Sequence, residues 1–444
     1  MKRFFQTIRN IFAIEDLRVR ILNTIGFLII FRLGCFIVLP GIDASKIINS
    51  NNDPLDSSKQ NAILGFINNF VGGAFNNHSI FALGIMPYIS ASIIVQLLTF
   101  AVPYFQKLQK EGDSGRKRLN QFTRVLTILI TIFQGYSYLK GGVDASFIND
   151  NGFQFMFTSL VLIITGTMFC MWLGERITDK GIGNGISMII MIGIVSRLPL
   201  ALASEISTKL PGKFWFFLLE ILALFAIVVA VIALTQATRR IPIQYAKQVI
   251  GNKLYGGKRD FIPLKLNSAG VMPIIFAQAL MFIPTLLGGL MQNEIGASIN
   301  ATFSNPYSWQ YSLLFALLIL IFTFFYTAIT INSNDIADNL KRNGGFIPGV
   351  KPGKPTADFI DTVLSRITLP GAFFLAMIAI LPAFANLAGV GQNFAQFFGG
   401  TSLLILVGVV LDTLQQIESY LLMRHYEGMM KSGRVKGRSQ FAAA

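Results

Sequence analysis

Ten runs of roughly twenty apolar residues decide what this chain can fold into, because each is long enough to cross a hydrocarbon core of about 30 Å. They lie near 21–39, 79–101, 122–139, 155–174, 185–203, 214–236, 266–288, 308–331, 369–388 and 399–422. Lipid offers no hydrogen-bond partners, so backbone groups must be satisfied within each segment and the spans are predicted to be helical. Composition agrees: hydrophobic residues make up 53% of the chain and charged residues 13%, against about 25% charged in soluble domains. Mean hydropathy is +0.58. The expectation is an all-α polytopic membrane protein with ten transmembrane helices. The opening "MKRFFQTIRNIFAIEDLRVR" lacks an apolar core and a small-residue cleavage site, so the first span is expected to act as its own signal.

An even number of spans places both termini on one side. All but seven of the 37 lysines and arginines fall in the N-terminal arm, the loops after the second, fourth, sixth and eighth spans, and the tail. Positive charge is retained in the cytoplasm, so both termini are expected there. Such charge also attracts anionic phospholipid, at about 1 kcal/mol per basic residue near the surface. Topology and lipid do not explain why two of these loops, 237–265 and 332–368, are long and carry Pro, Gly and Tyr at intervals. Long ordered loops tend to carry function, so a partner-docking role is predicted for both. Ten spans divide as five plus five, and an odd number per half reverses the second half, as in folds built from inverted repeats.

The chemistry-bearing residues are sparse. Cys35 and Cys170 sit in apolar runs, and His78 and His425 are far apart in sequence. Neither pair has metal-ligand spacing, and the cysteines read as small packing residues. The predicted spans are poor in ionisable groups: Arg32 lies inside the first, Glu220 near one end of the sixth and Asp412 in the last. Arg32 and Asp412 are expected to pair with a backbone carbonyl or a neighbouring helix. Buried acid or histidine relays mark coupled transporters, and this scarcity counts against one. The chain has no HExxH, P-loop or recognisable catalytic frame, so neither an enzyme activity nor a cofactor nor a metal is predicted.

Two patterns stand out. In "NAILGFINNFVGGAFNN", residues 61–77, Ile63, Phe66, Ile67 and Phe70 form a helical stripe that Gly72 and Gly73 would stop. A helix over 61–71 would be only about 16 Å long. The pattern favours an interfacial position and leaves re-entry open. In "GIMPYISASII", Ile85, Ile89 and Ile93 recur every fourth residue, a stripe that could face lipid, neighbouring helices or a hole. Ile186 and Ile190 repeat the spacing, and Ile275 and Ile405 follow Gly, Pro or Ser flanks that let helices bend or approach closely. Periodicity alone does not show that they converge.

These stretches resemble the SecY/Sec61α family of protein-conducting channels. The matches are "FRLGCFIVLPGID" (31–43), "GGAFNNHSIFALGIMPYISASIIVQLL" (72–98), "KEGDSGRKRLNQFTR" (110–124), "GTMFCMWLGERITDKGIGNGISMII" (166–190), "RRIPIQYAK" (239–247), "IPLKLNSAGVMPIIFA" (262–277), "NDIADNLKRNGGFIPGVKPGKPT" (334–356) and "FGGTSLLILVGVVLD" (398–412). They occur in family order across about 15–430. The resemblance implies a channel that passes unfolded secretory polypeptides and releases transmembrane segments sideways into lipid.

The resemblance also implies a domain plan: an N-terminal arm (1–20), a first half (21–203), an external hinge (204–213), a second half (214–422) and a basic tail (423–444). Around a central hourglass pore, Ile85, Ile89, Ile186, Ile190, Ile275 and Ile405 fall on the family's pore ring, all as isoleucine. Residues of about 61–75 fall on its plug, which replaces the interfacial reading. Ser90, Gln134 and Asn267 fall on its lateral gate. Arg239, Arg240, Lys247, Lys253, Lys258, Arg259, Lys351 and Lys354 would dock the SecA ATPase or the translating ribosome. No nucleic-acid recognition is implied apart from ribosomal RNA contact. SecE and SecG are the implied small subunits, and the bacterial cytoplasmic membrane the implied location. Two departures stand out: "PGVKPG" carries Lys351 where the family usually has arginine, and Asn252 replaces one of a usual basic pair beside Lys253. Lysine keeps the charge but loses the planar fork for bidentate contact. The alternative is a secondary transporter of a small solute, which should show a polar midplane site in broken helices; the matching positions here are isoleucines. A membrane-embedded enzyme has less support still.

Overall fold

The computed structural model describes residues 14–43, 45, 68, 71–141, 143, 147–148, 152–209, 212, 214–245, 248–250, 253–255, 259–281, 298, 302–303 and 307–431. It divides into two compact units, residues 1–60, 64–197 and 409–444 in one and 61–63 and 198–408 in the other.

The first unit holds α1 (Glu15–Gly34), α2 (Met86–Ala101), α3 (Pro103–Lys110), α4 (Asp113–Gly141) and α5 (Phe153–Lys180), with the start of α6 (Gly185–Lys209). Helix α2 packs on α4, and α5 packs on both α1 and α4. Span 79–101 is helical only from Met86, because Gly84 takes a φ of +51° and Pro87 belongs in a first helical turn. At its other end Val102 adopts extended backbone and Pro103 opens α3, which is bent 99° from α2. Between α1 and α2 the chain folds back on itself, with Leu39 N–H donating to His78 O at 2.9 Å and Ile80 N–H to Ile37 O at 2.9 Å. Leu39, Phe75, Leu83, Leu139 and Ile163 form the core beneath these turns. Tyr138 hydroxyl donates to Phe75 O at 2.9 Å, which leaves His78 Nδ1, 2.7 Å away, to donate to the tyrosine oxygen. Cys35 and Cys170 are buried free thiols, in keeping with a packing role.

The second unit holds the rest of α6, α7 (Phe214–Gln236), β1 (Thr238–Tyr245), β2 (Gln248–Ile250), β3 (Lys253–Tyr255), β4 (Arg259–Lys265), α8 (Met272–Leu280), α9 (Trp309–Thr330), α10 (Ser333–Arg342), β5 (Gly345–Phe346), α11 (Lys354–Leu387), α12 (Gln392–Ala395) and the start of α13 (Gly400–Lys431). The rest of α13 belongs to the first unit. Helix α9 packs on α8 and α11. Ser308 caps α9 by accepting the Tyr311 N–H at 3.3 Å. Along α7 only Glu220, Val231 and Leu234 are buried, while Trp215, Leu222 and Phe225 stand exposed. Such a face suits lipid contact.

Every predicted span coincides at least in part with a described helix. Among the described residues, six helices are long and apolar enough to cross a membrane, or seven if α2 and α3 form one bent span. The other predicted spans differ for plain reasons. Helix α1 carries Arg18, Arg20 and Arg32, α4 is rich in polar side chains, and α8 ends at Leu280 with the rest of its span outside the described residues.

Candidate functional site

Helix starts position the isoleucines of the first unit. Ile85 is the residue before the first turn of α2 and is buried. Ile89 N–H donates to Ile85 O at 3.1 Å, so the two lie on one face; Ile89 is half-buried. Asn184 caps α6, its Oδ1 accepting Ile186 N–H at 3.1 Å. The preceding turn is held from several directions. Thr24 Oγ1 accepts Ile182 N–H at 3.0 Å, Arg20 donates to Gly181 O at 3.3 Å, and Gln416 Oε1 accepts Gly183 N–H at 2.8 Å. A helix start clamped this way fixes Ile186 and Ile190 on the first two turns of α6, the former half-buried and the latter buried. Helix α5 packs closely beside them: a Cβ on Gly174 would lie 3.0 Å from Ile186 Cγ1, a contact the isoleucine would have to give way to.

In the second unit, Ile275 is half-buried on α8 and Ile405 buried on α13. Helix α8 is anchored to α9 by Phe276 stacked on Phe322, centroids 5.6 Å apart, and by Gln278 Nε2 donating to the Tyr311 hydroxyl at 3.2 Å. The predicted gate residues differ in setting. Ser90 is half-buried and donates to Met86 O at 3.2 Å within its own helix. Gln134 is exposed on α4. Asn267 is buried, and its Oδ1 has no hydrogen-bond partner among the described residues.

Of the predicted plug residues, Ile63, Phe66, Ile67 and Phe70 lie outside the described residues. Gly72 and Gly73 are described, with φ of +66° and +93°, a region that favours glycine. Arg32 Nη1 donates to Gly72 O at 2.9 Å, the carbonyl partner expected for this intramembrane arginine. Asp412 is exposed. Sequence reading missed Arg197, although it lies within the predicted span 185–203, and it missed Glu205 and Lys209 because α6 runs past residue 203 to Lys209. Arg197 lies on α6, and Lys209 is paired with Glu205 Oε1 at 2.8 Å and with Glu220. Glu205 also accepts Gly391 N–H, at 3.1 Å to Oε2.

The two long loops are not separate loops. Strands β1 and β4 pair antiparallel from Thr238↔Lys265 to Gln244↔Arg259, and β1 also pairs with β5 through Gln244↔Phe346 and Tyr245↔Gly345. Ile241, Ile243, Leu264, Leu340, Ile347, Ile360 and Leu364 close a core between this sheet, α10 and the start of α11. Segments 237–265 and 332–368 therefore make one folded module. Arg239, Arg240, Arg259, Lys351 and Lys354 are exposed on it. Lys253 lies in β3, while Lys247 and Lys258 lie outside the described residues.

Comparison with known proteins gives these positions a context. The SecY family model matches residues 79–414. A protein translocase subunit SecY of Streptomyces griseus is 42% identical over 448 residues, covering 96% of this chain and 100% of the relative. Among solved structures, a protein-conducting channel matches with a TM-score of 0.63 at 16% identity, covering 90% of this chain and 92% of the other. Sec61 from the canine ribosome–channel complex of the endoplasmic reticulum gives 0.61 at 15% identity, with the same coverages. The solved channels share the fold; the sequence match over nearly the whole length goes further, and by it this chain belongs to the SecY family.

Proposed function

We propose that this chain is the pore of a protein-conducting channel, passing unfolded secretory polypeptides across the membrane and releasing transmembrane segments sideways into lipid. The observation that carries this reading is the 42% identity, over 96% of the chain, to a translocase subunit. The alternative of a small-solute transporter has no comparable support.

In this reading Ile85, Ile89, Ile186, Ile190, Ile275 and Ile405 form the constriction. Branched aliphatic side chains offer an ion no ligand and gate by dewetting. A passing polypeptide fills the ring, so the seal holds without selecting a sequence. Residues 61–75 act as a plug when no chain is present. Ser90, Gln134 and Asn267 line the lateral gate, where hydrogen bonds worth about 0.6 kcal/mol each let a seam open; Asn267 Oδ1, which has no partner among the described residues, is suited to such a bond. Apolar segments then leave for lipid by hydrophobicity. The pore performs no bond chemistry itself. Its motive force comes from partners docked on the basic module, the SecA ATPase or a translating ribosome; canine Sec61, which shares the fold, is found in a ribosome–channel complex. SecE and SecG complete the assembly in the bacterial cytoplasmic membrane, with both termini of this chain cytoplasmic.

The test is photocrosslinking from positions 85, 190, 275 and 405 to a stalled secretory chain, with exposed Leu222 on α7 as control. Adducts from the four positions and none from 222 are expected. Equal labelling at 222, or none from the four with a chain engaged, would overturn the constriction.

A further inference from the structure

Two arginines grip one turn of the first unit. Arg32, in the last turn of α1, donates from Nη1 to Gly72 O at 2.9 Å. On the next residue, a Cβ at Gly73 would lie 2.9 Å from Arg197 Nη2, and a Cβ at Gly72 would lie 2.9 Å from Gly193 Cα of α6. The turn therefore sits against α1 and α6 with a guanidinium pressed on each glycine. Among the described residues neither arginine is paired with a carboxylate, and Arg197 Nε is buried without a hydrogen-bond partner. Two half-buried cations that share, among the described residues, one carbonyl hydrogen bond and one ring contact, Arg32 over Phe36 at 5.3 Å, make a poor stability device, since apolar groups of similar volume pack such sites at least as well. Intramembrane charges of this kind are kept for a task.

We propose that Arg32 and Arg197 form a two-sided latch on the turn that follows segment 61–70: Arg32 holds the turn in place, and Arg197 drives it out. The proposal rests on the channel reading, in which that segment is the plug. With the turn seated, Arg197 Nε is shut off from water without a partner among the described residues, whereas Arg32 holds a charged hydrogen bond. When the turn leaves, water reaches Arg197 Nε, which regains the hydration it lacks. The latch is thereby balanced close to its tipping point, where a modest push from an entering signal segment releases it.

The two arginines should thus respond oppositely to neutralisation. The full-length chain, in membranes with its partners, is assayed for ion leak without substrate and for export of one precursor with an intact signal and one with a defective signal. Arg32→Gln is expected to raise leak and defective-signal export about tenfold, the scale of one lost charged hydrogen bond. Arg197→Met is expected to lower both below the unmodified level. Arg32→Lys, which keeps a charge and a donor, should lie between Arg32→Gln and the unmodified chain, and it serves if Arg32→Gln accumulates poorly. Shifts of Arg32→Gln and Arg197→Met in the same direction, or no shift in either, would overturn the latch. Failure of the unmodified chain to export the intact-signal precursor would instead overturn the channel reading.

Discussion

A lysine between two glutamates shows how single residues escape sequence reading. Glu205 and Lys209 stand one turn apart on α6, which reads as an ordinary interfacial ion pair. Their third partner, Glu220, lies across the connection to α7, and no local pattern announces it. In the structure all three are buried, and Lys209 is the cation between two carboxylates. Removing it leaves two uncompensated acids in an apolar setting, where breaking a buried pair costs about 3–5 kcal/mol. Lys209→Met is therefore expected to lower the thermal unfolding temperature of the detergent-solubilised chain. Adding Glu220→Gln should recover part of the loss, since it removes one of the stranded charges; no recovery would mean that packing rather than charge sets the cost. Gly72 and Gly73 show the opposite case. A Gly–Gly pair after an apolar stripe is expected to stop a helix, and both residues take the positive φ that suits such a break. Arg32 was legible too, because an arginine within an apolar run is expected to pair with a backbone carbonyl or a neighbouring helix, and here it takes a carbonyl.

At the level of elements, apolar run length located the helices well, since lipid leaves the backbone no other choice. It failed where helices outrun the apolar stretch, as α11 does by starting at Lys354. The folded module of 237–265 and 332–368 was the least legible element. Strand β1 alternates, with Ile241 and Ile243 inward and Pro242 outward, but the pattern is short and proline argues against a strand. The register resolves this. Pro242 faces Phe261, and Pro263 faces Arg240. These pairs are two residues apart on β1 and so are of the same kind, which must be the kind that exchanges no hydrogen bonds. Both prolines are then tolerated at no cost to the ladder. If the sheet, α10 and the start of α11 share one core, Ile243→Ala should loosen all of them together, at the scale of about 2–5 kcal/mol for truncating a buried isoleucine. Limited proteolysis checks this. Cleavage should rise in both 237–265 and 332–368 while the chain stays membrane-inserted; cleavage rising in the first segment alone would show two independent loops.

For the whole molecule, charge is the organising variable, with a net of +15 and nearly all of it in alternate loops and the ends of the chain. Sequence counting captured that bias because it depends only on composition along the chain, and the folded module now gives it a surface. Arg239, Arg240 and Arg259 come from one segment and Lys351 and Lys354 from the other, yet they stand exposed on a single folded body. A basic surface of this kind speeds encounter with an acidic partner and loses force as salt rises. Lys351 is the informative member, because it is exposed while the turn behind it is fixed by Thr356 Oγ1 donating to Lys351 O at 2.8 Å. A change of its side chain therefore leaves the backbone in place. Lys351→Glu is expected to slow motor-driven export about tenfold at low salt, with the gap to the unmodified chain narrowing as ionic strength rises. Lys351→Arg should match or exceed the unmodified chain, since the planar fork adds bidentate contact. Export kinetics measured at two salt concentrations check both statements. A Lys351→Glu defect that does not change with salt would point to a lost shape contact instead of an electrostatic one, and normal kinetics would remove this module from the docking surface.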